Sequence, residues 1–360
     1  MYSYRTDKSM LKEEKMKREK VMLERVSVCV LLILVSMLYL ASSAPAQKTF
    51  HLKYSGQWTQ DNLVSYPANQ WFKEVEKRTG GRVKVTPYHA ESLGKAETTL
   101  DMLSNGVCDM AGIAHGYFPS VFRVTDFVGL PFLMPNQAIG TEQAYVLENS
   151  GLLAKDLKGL KVLWWEAVDP AYLIFRNKKV TSLEELKGMK IRTVPGVPIK
   201  TLEALGATPV GLPGGETYMA LERGVVEGLT TSPSAISMRK YQEVTKYCLW
   251  FPLYGGLIPF AMTQDKWNSF PPEIQAIMTE LNIKAKYDFL YEMQRIGAGT
   301  PQSVEKLGLQ VIRLSPQEEA RWVSVVQGVY DQWIKDLEAK GLPGREAVDL
   351  AKRIAKLYMM

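Results

Sequence analysis

The chain has 360 residues, of which 46% are apolar and 23% charged, a balance typical of a globular protein and not of a disordered one. The formal net charge is +6, but residues 1–46 hold eight Lys or Arg against five Asp or Glu, which leaves 36 against 33 for the rest. An excess of three positive charges is too small to indicate a nucleic-acid-binding protein, and no nucleic-acid partner is expected. The length predicts two domains.

The beginning of the chain predicts export. An apolar run of fifteen residues, 26–40, follows a lysine-rich segment and precedes small residues with the pattern Ala44-x-Ala46. This arrangement predicts a signal peptide that is cleaved after Ala46, and hence a periplasmic protein that starts near Gln47. A retained anchor is the alternative, but the run is shorter than the roughly twenty residues that span a bilayer.

The next part of the chain alternates strands with helices. Apolar residues recur at every second position at 50–54 and 83–86, and at three- and four-residue spacings over 63–78. A helix over 95–104 ends at a glycine and leads to an apolar strand at 110–114. The order βαβαβ predicts an open parallel sheet.

The second half of the chain repeats this alternation. Strands are predicted at 160–165, 171–175, 188–192 and 208–212, and helices at 199–205 and 216–223. A helical period is then sustained over 272–295, long enough to tie two lobes together. A last apolar stripe runs through residues 322–337.

One arginine stands at the end of a short strand. Residues 186–198 read LKGMKIRTVPGVP, so Pro195 and Pro198 end strand pairing just after Arg192. Carboxyl ends of strands face the ligand crevice in open α/β sheets, and a guanidinium offers a fork that matches a carboxylate. The sequence thus favours an acid-binding cleft at Arg192. The alternative, which residue statistics alone favour, is a salt bridge to a neighbouring glutamate.

The block around this arginine also carries a family pattern. Residues 186–228 contain Leu-Lys-Gly-x-Lys-x-Arg, Gly-Ala-x-Pro, Glu-x-Tyr-x-Ala-Leu and Gly-x-Val-Glu-Gly in that order. The block resembles the extracytoplasmic solute-binding proteins of tripartite ATP-independent periplasmic (TRAP) transporters. Shorter pieces extend the resemblance over nearly the whole chain after the leader: SLG at 92–94, NGVCDMAGI at 105–113, GLPFL at 129–133 and KWNSFPPEIQ at 266–275.

The resemblance implies a bilobal periplasmic-binding-protein-like fold, in which two α/β lobes are joined by crossing strands and a long connecting helix. The implied layout is a leader at 1–46, a first lobe at 47–168 and 258–297, and a second lobe at 169–257 and 298–360. It also implies a function. Arg192 would hold the carboxylate of a small organic acid between the lobes, and the protein would deliver this acid to TRAP membrane permease subunits.

Two departures from the family pattern bear on the ligand. Many members that bind sugar acids carry a second arginine twenty residues before the first, where this chain has Tyr172. Those members also show Asn-Pro after the closing strand, where Thr231 and Ser232 precede Pro233 here. The substitutions suggest a monocarboxylate with a less polar body, aromatic or branched, and place Tyr172, Thr231 and Ser232 among the candidate ligand residues.

Five further candidates lie at strand ends, where function concentrates in such folds. Trp58, Glu91 and His115 follow the first three strands, Trp165 ends the strand that enters the second lobe, and Tyr254 adjoins Gly255-Gly256, a predicted hinge. Three of them have a plain alternative: Trp58 caps the next helix, His115 is solvated, and Trp165 packs in the core.

An exported enzyme on the same fold is the competing hypothesis. The chain has no recognisable catalytic triad, HExxH helix or phosphate loop, although Glu91, Asp109 and Glu166 could converge as paired carboxylates. We therefore expect no enzymatic activity, no cofactor and no metal, and a monomer. Cys108 and Cys248 stand in apolar strand-like contexts, which predicts two separate buried thiols and not a disulfide.

Overall fold

The computed structural model describes residues 5–42, 48–212, 214–295 and 299–359, and the chain divides into two units, Met1–Thr49 and Phe50–Met360. The first unit contains helix α1 (Arg5–Ser42), which includes the apolar run 26–40. Among the described residues, no helix carries a stretch long and apolar enough to span a membrane. The predicted cleavage site after Ala46 lies outside the described residues, so it stays a prediction.

The second unit is built on one mixed sheet with helices around it. Its strands are β1 (Phe50–Ser55), β2 (Val83–Tyr88), β3 (Met110–Gly112), β4 (Leu160–Phe175), β5 (Lys190–Thr193), β6 (Thr208–Gly211), β7 (Gly228–Thr231), β8 (Tyr247–Thr263) and β9 (Gln310–Ile312). The strand order is β2-β1-β3-β8-β4-β7-β5-β6, and β9 pairs with β8. The sheet therefore has a parallel group on each side of the long antiparallel pair β4–β8.

Helices connect these strands. They are α2 (Ser65–Arg78), α3 (Thr99–Ser104), α4 (Gln137–Asn149), α5 (Leu183–Leu186), α6 (Val197–Ala204), α7 (Thr217–Glu222), α8 (Pro233–Met238), α9 (Gln264–Asn268), α10 (Pro272–Arg295), α11 (Pro301–Glu305), α12 (Pro316–Val325), α13 (Gln327–Glu338) and α14 (Gly344–Met359). Short 3-10 helices cover Ala96–Thr98, His115–Tyr117, Thr125–Gly129, Gly214–Glu216 and Tyr241–Glu243.

Several helices begin where the sequence supplies a cap. The side chain of Asn136 accepts a hydrogen bond from the Ile139 N–H at 3.0 Å and starts α4. Ser315 does the same for the Glu318 N–H at 3.2 Å and is followed by a proline, so α12 starts there. Such caps satisfy backbone donors that a first helical turn leaves unpaired. A few residues thus fix where these helices start.

The long strands β4 and β8 run through both halves of the sheet. They have 16 and 17 residues, and their register runs from Leu160 opposite Thr263 to Phe175 opposite Tyr247. The prediction of two separate strands at 160–165 and 171–175 is therefore wrong. The register shifts between Val168 and Ala171, so an irregularity in the pairing accommodates Pro170 without ending the strand.

The two faces of β4 are covered differently. Trp165, Ala167 and Leu173 pack into the largest apolar group, the central cluster, which also contains side chains of α4, α6, α13 and α14. The other face carries two separate groups. The first-lobe cluster includes Leu52, Trp71, Trp164, Phe260 and Ile274, and the second-lobe cluster includes Tyr172, Ile174, Leu221, Leu229 and Tyr241. The bilobal architecture follows from this division, because one face has a continuous core and the other has two.

The long helix occupies the residues that its periodicity predicts, Pro272–Arg295. Its residues Ile274, Met278 and Leu281 belong to the first-lobe cluster. Further along, Lys286 makes a 2.5 Å ion pair with Glu142 of α4. The predicted stripe at 322–337 is divided between α12 and α13, which meet at Val326.

The two cysteines behave as predicted. Cys108 and Cys248 are free and buried, and they belong to different apolar clusters. Burial raises the pKa of both thiols to about 12, so neither is a thiolate at neutral pH.

Candidate functional site

A cleft between the two lobes is the natural place for a ligand. The carboxyl ends of β1 and β2 point to it from the first lobe, and those of β5 and β7 from the second. On β4, Glu166 and Tyr172 lie on the face opposite the central cluster, with the first-lobe cluster on one side and the second-lobe cluster on the other. The candidate site is therefore the middle of this face together with the adjoining strand ends.

Arg192 is the buried cation of this region. It lies in β5 and is only 8% exposed. Its Nε and Nη2 donate hydrogen bonds to the Leu212 carbonyl oxygen, at 3.0 and 2.8 Å. No carboxylate of the described residues lies within 4.0 Å of its guanidinium, so the salt-bridge alternative finds no support there. A buried guanidinium without a counter-charge is suited to bind an anion.

A hydroxyl network lies beside this arginine. Thr230 Oγ1 is 2.7 Å from both Thr193 Oγ1 and the Tyr254 hydroxyl. The charge of Arg192 acts on Tyr254, but burial is the larger influence and raises the pKa of this phenol. The network holds the ends of β5 and β7 against β8, and it fixes the backbone that carries Arg192.

The two glycines that follow Tyr254 are closely packed. Gly255 and Gly256 lie inside β8, and a Cβ at Gly255 would come 2.3 Å from Met134 Sδ. A Cβ at Gly256 would come 2.9 Å from Val168 Cγ2. Close packing against the strand accounts for these glycines, and a hinge at this place stays a prediction.

The candidates Tyr172, Thr231 and Ser232 lie at the second-lobe side. Tyr172 stacks on Trp250 with ring centroids 4.3 Å apart, and burial raises its pKa. It is paired with Thr231 across β4 and β7. Ser232 Oγ accepts a hydrogen bond from the Ala235 N–H at 3.4 Å as the cap of α8. Capping accounts for the serine, whereas Tyr172 and Thr231 stand on the face that carries Arg192.

On the first-lobe side, Trp58 and His115 have definite positions. Trp58 is half-buried, and a Cβ at Gly112 would lie 3.2 Å from its ring and 3.0 Å from that of Phe260. His115 Nδ1 is 2.9 Å from the Leu257 carbonyl oxygen, and its Nε2 is 3.4 Å from Asp126 Oδ1. His115 is therefore held by the protein and is not a solvated loop histidine.

Two other candidates have structural roles. Glu91 accepts a hydrogen bond from the Ala96 N–H at 3.0 Å and pairs with Lys95, whose ammonium lowers the pKa of Glu91. Trp165 is fully buried in the central cluster, and its indole N–H donates to Glu148 at 2.6 Å. Trp165 therefore has the role of a core residue, which was the alternative to ligand binding.

The structure adds residues that the sequence interpretation missed. Thr193 and Thr230 complete the hydroxyl network. Thr193 directly follows the candidate Arg192, and Thr230 directly precedes the candidate Thr231.

Tyr117 belongs to the 3-10 helix that starts at His115. Burial raises the pKa of its phenol, the charges of Glu97 and Glu91 raise it further, and those of Arg239 and Arg192 lower it. The sequence could have indicated Tyr117 as a candidate, because it stands two residues after His115 in the same short helix.

A buried aspartate lies in the middle of the crossing strand. Asp169 is 3% exposed, and none of the described residues gives either of its carboxylate oxygens a hydrogen bond of normal geometry. Burial raises the pKa of Asp169 from 3.8 to about 6, and Ser234 offsets only part of this effect. The carboxylate therefore costs free energy of folding in its charged form.

We expect Asp169→Asn to stabilise the protein at neutral pH. Between the unfolded pKa of 3.8 and the folded value of about 6, the folded carboxyl keeps a proton that the unfolded chain releases, so stability falls as pH rises through this window. The amide removes this loss, and the free energy of unfolding at pH 7 should increase by up to about 3 kcal/mol. Urea unfolding at pH 4 and pH 7 measures the difference.

The matched control for this change is Asp331→Asn, which alters an exposed aspartate of α13. It should leave the pH dependence of unfolding as it is in the unaltered protein. For each variant, the change in the free energy of unfolding between pH 4 and pH 7 is compared. If this change is the same for Asp169→Asn and for the control, the pKa of Asp169 is not raised.

Comparisons with known proteins identify the family and the fold. Residues 54–336 match the sequence profile of the family described as bacterial extracellular solute-binding protein, family 7. The chain is 31% identical over 221 residues to an uncharacterized protein of Sinorhizobium fredii and 28% identical over 208 residues to a solute-binding protein of Verminephrobacter eiseniae. These alignments cover 58% and 57% of this chain but only 37% and 62% of the two relatives.

A solved structure matches over a greater length. It is a TRAP solute-binding protein from an unidentified marine microbe, described as specific for aromatic acid ligands and determined in complex with metahydroxyphenylacetate. The sequence identity is 28% and the TM-score is 0.77. The match covers 86% of this chain and 99% of the other.

Proposed function

The chain belongs to family 7 of the bacterial extracellular solute-binding proteins, and from this premise we propose that it captures a monocarboxylic acid between its lobes through Arg192. It is a solute-binding protein of the TRAP type. The proposal extends to its partner: the loaded protein delivers the acid to the membrane subunits of a TRAP permease.

Arg192 is the observation that carries the proposal. Its guanidinium is buried and oriented by the Leu212 carbonyl, and no carboxylate of the described residues neutralises it. A ligand carboxylate supplies the missing charge and hydrogen bonds, which makes the closed complex more stable than the empty one. Since Tyr172 stands where other members carry a second arginine, one carboxylate is the expected anionic group.

The body of the ligand is aromatic in our proposal. Trp58 is half-buried and Tyr117 exposed, and each follows a strand end of the first lobe, while Tyr172 stacks on Trp250 in the second. Rings contribute apolar contact with a preferred stacking geometry. The solved structure from the marine microbe is described as specific for aromatic acid ligands, which supports the same class of ligand here.

The cellular setting is also part of the proposal. We propose that residues 1–46 form a leader that is removed after Ala46 and that the remaining chain works in the periplasm. The lobes would then comprise 47–168 with 258–297, and 169–257 with 298–360. We propose no enzymatic activity, in keeping with a family of transport proteins.

A thermal-shift panel tests the function. Residues 47–360 are heated with monocarboxylates that have aromatic, keto or branched bodies, and with dicarboxylates, sugars and amines. A ligand at one hundred times its Kd stabilises the folded state by about 2.7 kcal/mol, so a bound acid raises the melting temperature by a few degrees. We expect the aromatic monocarboxylates to give the largest shifts.

The same samples provide the counter-tests. Shifts with dicarboxylates, sugars or amines but with no monocarboxylate would overturn the proposed ligand class. Chromatography after incubation should return each acid unchanged, and conversion of a bound acid at a useful rate would favour the exported enzyme instead.

A further inference from the structure

Several described residues bury polar side-chain atoms that lack hydrogen-bond partners, and three of them lie around one group of aromatic rings in the first lobe. The atoms of these three are the Tyr54 hydroxyl, both ring nitrogens of His89 and Oε2 of Glu166. Tyr54 and Glu166 are both 0% exposed. Folded proteins rarely bury polar atoms unpaired, because the loss of hydration is not repaid. Such a group of atoms calls for a function.

The three side chains belong to one aromatic cluster. The Tyr54 ring lies edge-on to His89 at 5.8 Å between centroids, and it stacks parallel to Phe260 at 6.3 Å. Phe260 stacks on Trp164 at 4.5 Å, and the Trp164 indole N–H donates to Glu166 Oε1 at 2.8 Å. The other oxygen of this carboxyl, Oε2, is the unpaired one.

Their place in the fold is the first-lobe wall of the cleft. Tyr54 is near the carboxyl end of β1, His89 directly follows β2, and Glu166 lies on β4 opposite Ile258. Trp58 lies beside them, because its ring and that of Phe260 meet over Gly112. Glu166 and Tyr172 share the face of β4 that is turned away from the central cluster.

The group offers both donors and acceptors. Burial raises the pKa of Glu166 well above its usual range, which favours the protonated carboxyl and its O–H donor. Burial also lowers the pKa of His89, whose neutral ring then has one donor and one acceptor nitrogen. A hydroxyl is the ligand group that both donates and accepts, whereas a carboxylate would find no cation here.

We propose that Tyr54, His89 and Glu166 form a subsite that binds a ring hydroxyl of the aromatic acid whose carboxylate is held by Arg192. The inference rests on the proposed function and adds a specificity to it. The acid then lies across the cleft, with its charged end at the second lobe and its hydroxyl at the first.

Calorimetry with matched ligand pairs tests the subsite. The pairs are benzoate with 3-hydroxybenzoate and phenylacetate with 3-hydroxyphenylacetate. We expect the unaltered protein to bind the hydroxylated acid at least about tenfold more tightly. Tyr54→Phe should remove most of this preference while the affinity for benzoate and phenylacetate stays the same. Tyr66→Phe, which alters an exposed tyrosine of α2, is the control.

A second variant tests the subsite independently, in case Tyr54→Phe does not fold. His89 is half-buried, so His89→Leu is expected to fold, and it should also reduce the hydroxyl preference. Equal affinity for both acids of each pair, or equal losses for both in the variants, would overturn the subsite and leave the proposed function standing. If no acid binds the unaltered protein, the proposed function and the subsite both fail.

Discussion

Arg192→Ala should lose acid binding almost completely. The substitution removes the buried cation of the cleft, and truncating one partner of a buried charge pair costs about 2–5 kcal/mol, which lowers affinity about 30-fold to several thousandfold. The loss should be similar for all monocarboxylates that bind, since each would place its carboxylate on the same guanidinium. Titration calorimetry with the tightest acid of the panel measures it.

Arg176→Ala is the matched control for this prediction. Arg176 belongs to the same lobe and also donates to a backbone carbonyl, that of Glu222 at 2.9 Å. Its removal should leave acid affinity unchanged. Arg192→Lys keeps the charge but not the fork and should retain part of the affinity. An Arg192→Ala variant that is folded and binds every acid as tightly as the unaltered protein would refute the role of Arg192.

Trp164→Ala should give a large loss of stability. Trp164 is 0% exposed, stacks on Phe260 at 4.5 Å and lies 6.0 Å from the Trp71 ring. Its loss leaves a cavity in the first-lobe cluster and removes the hydrogen bond to Glu166. We expect the free energy of unfolding to fall by about 3–5 kcal/mol, which urea unfolding measures.

Two comparisons separate packing from the hydrogen bond. Trp267→Ala alters a half-buried tryptophan at the edge of the same cluster and should cost much less. Trp164→Phe keeps ring contact with Phe260 but removes the indole N–H, so it should cost an intermediate amount. Equal urea midpoints for Trp164→Ala and Trp267→Ala would show that the first-lobe cluster does not depend on Trp164.

Together these expectations separate binding from folding. Arg192 lies in a short strand and contacts one backbone carbonyl, so its loss should affect the ligand more than the fold. Trp164 lies between two other rings, so its loss should affect the fold first. Asp169 differs from both, because its charged form opposes folding and its neutralisation should stabilise the protein.

Much of the fold could be predicted from periodicity. Alternation identified β1, β2 and β5 to within a few residues, and the helical period identified α10 at both ends. The expectation of two separate strands failed in the region of Pro170, because pairing with β8 continues along the whole of β4. A proline ends an isolated strand, but an irregular register lets two long strands continue past it.

The candidate site was predicted in part. The strand end and the two prolines singled out Arg192, and the structure shows that it is buried without a carboxylate partner among the described residues. Trp165 was selected by position, yet it faces the central cluster. Strand neighbours point to opposite faces, and the sequence did not show which face of β4 would border the cleft.

The sequence by itself determined the family pattern, the strand end that carries Arg192 and the identity of the single arginine there. Only the tertiary structure decided which polar groups lack partners, because Tyr54 and Glu166 lie in two different strands and His89 follows a third. Burial is a property of the packed fold. It raises the pKa of Glu166, and it encloses the guanidinium of Arg192.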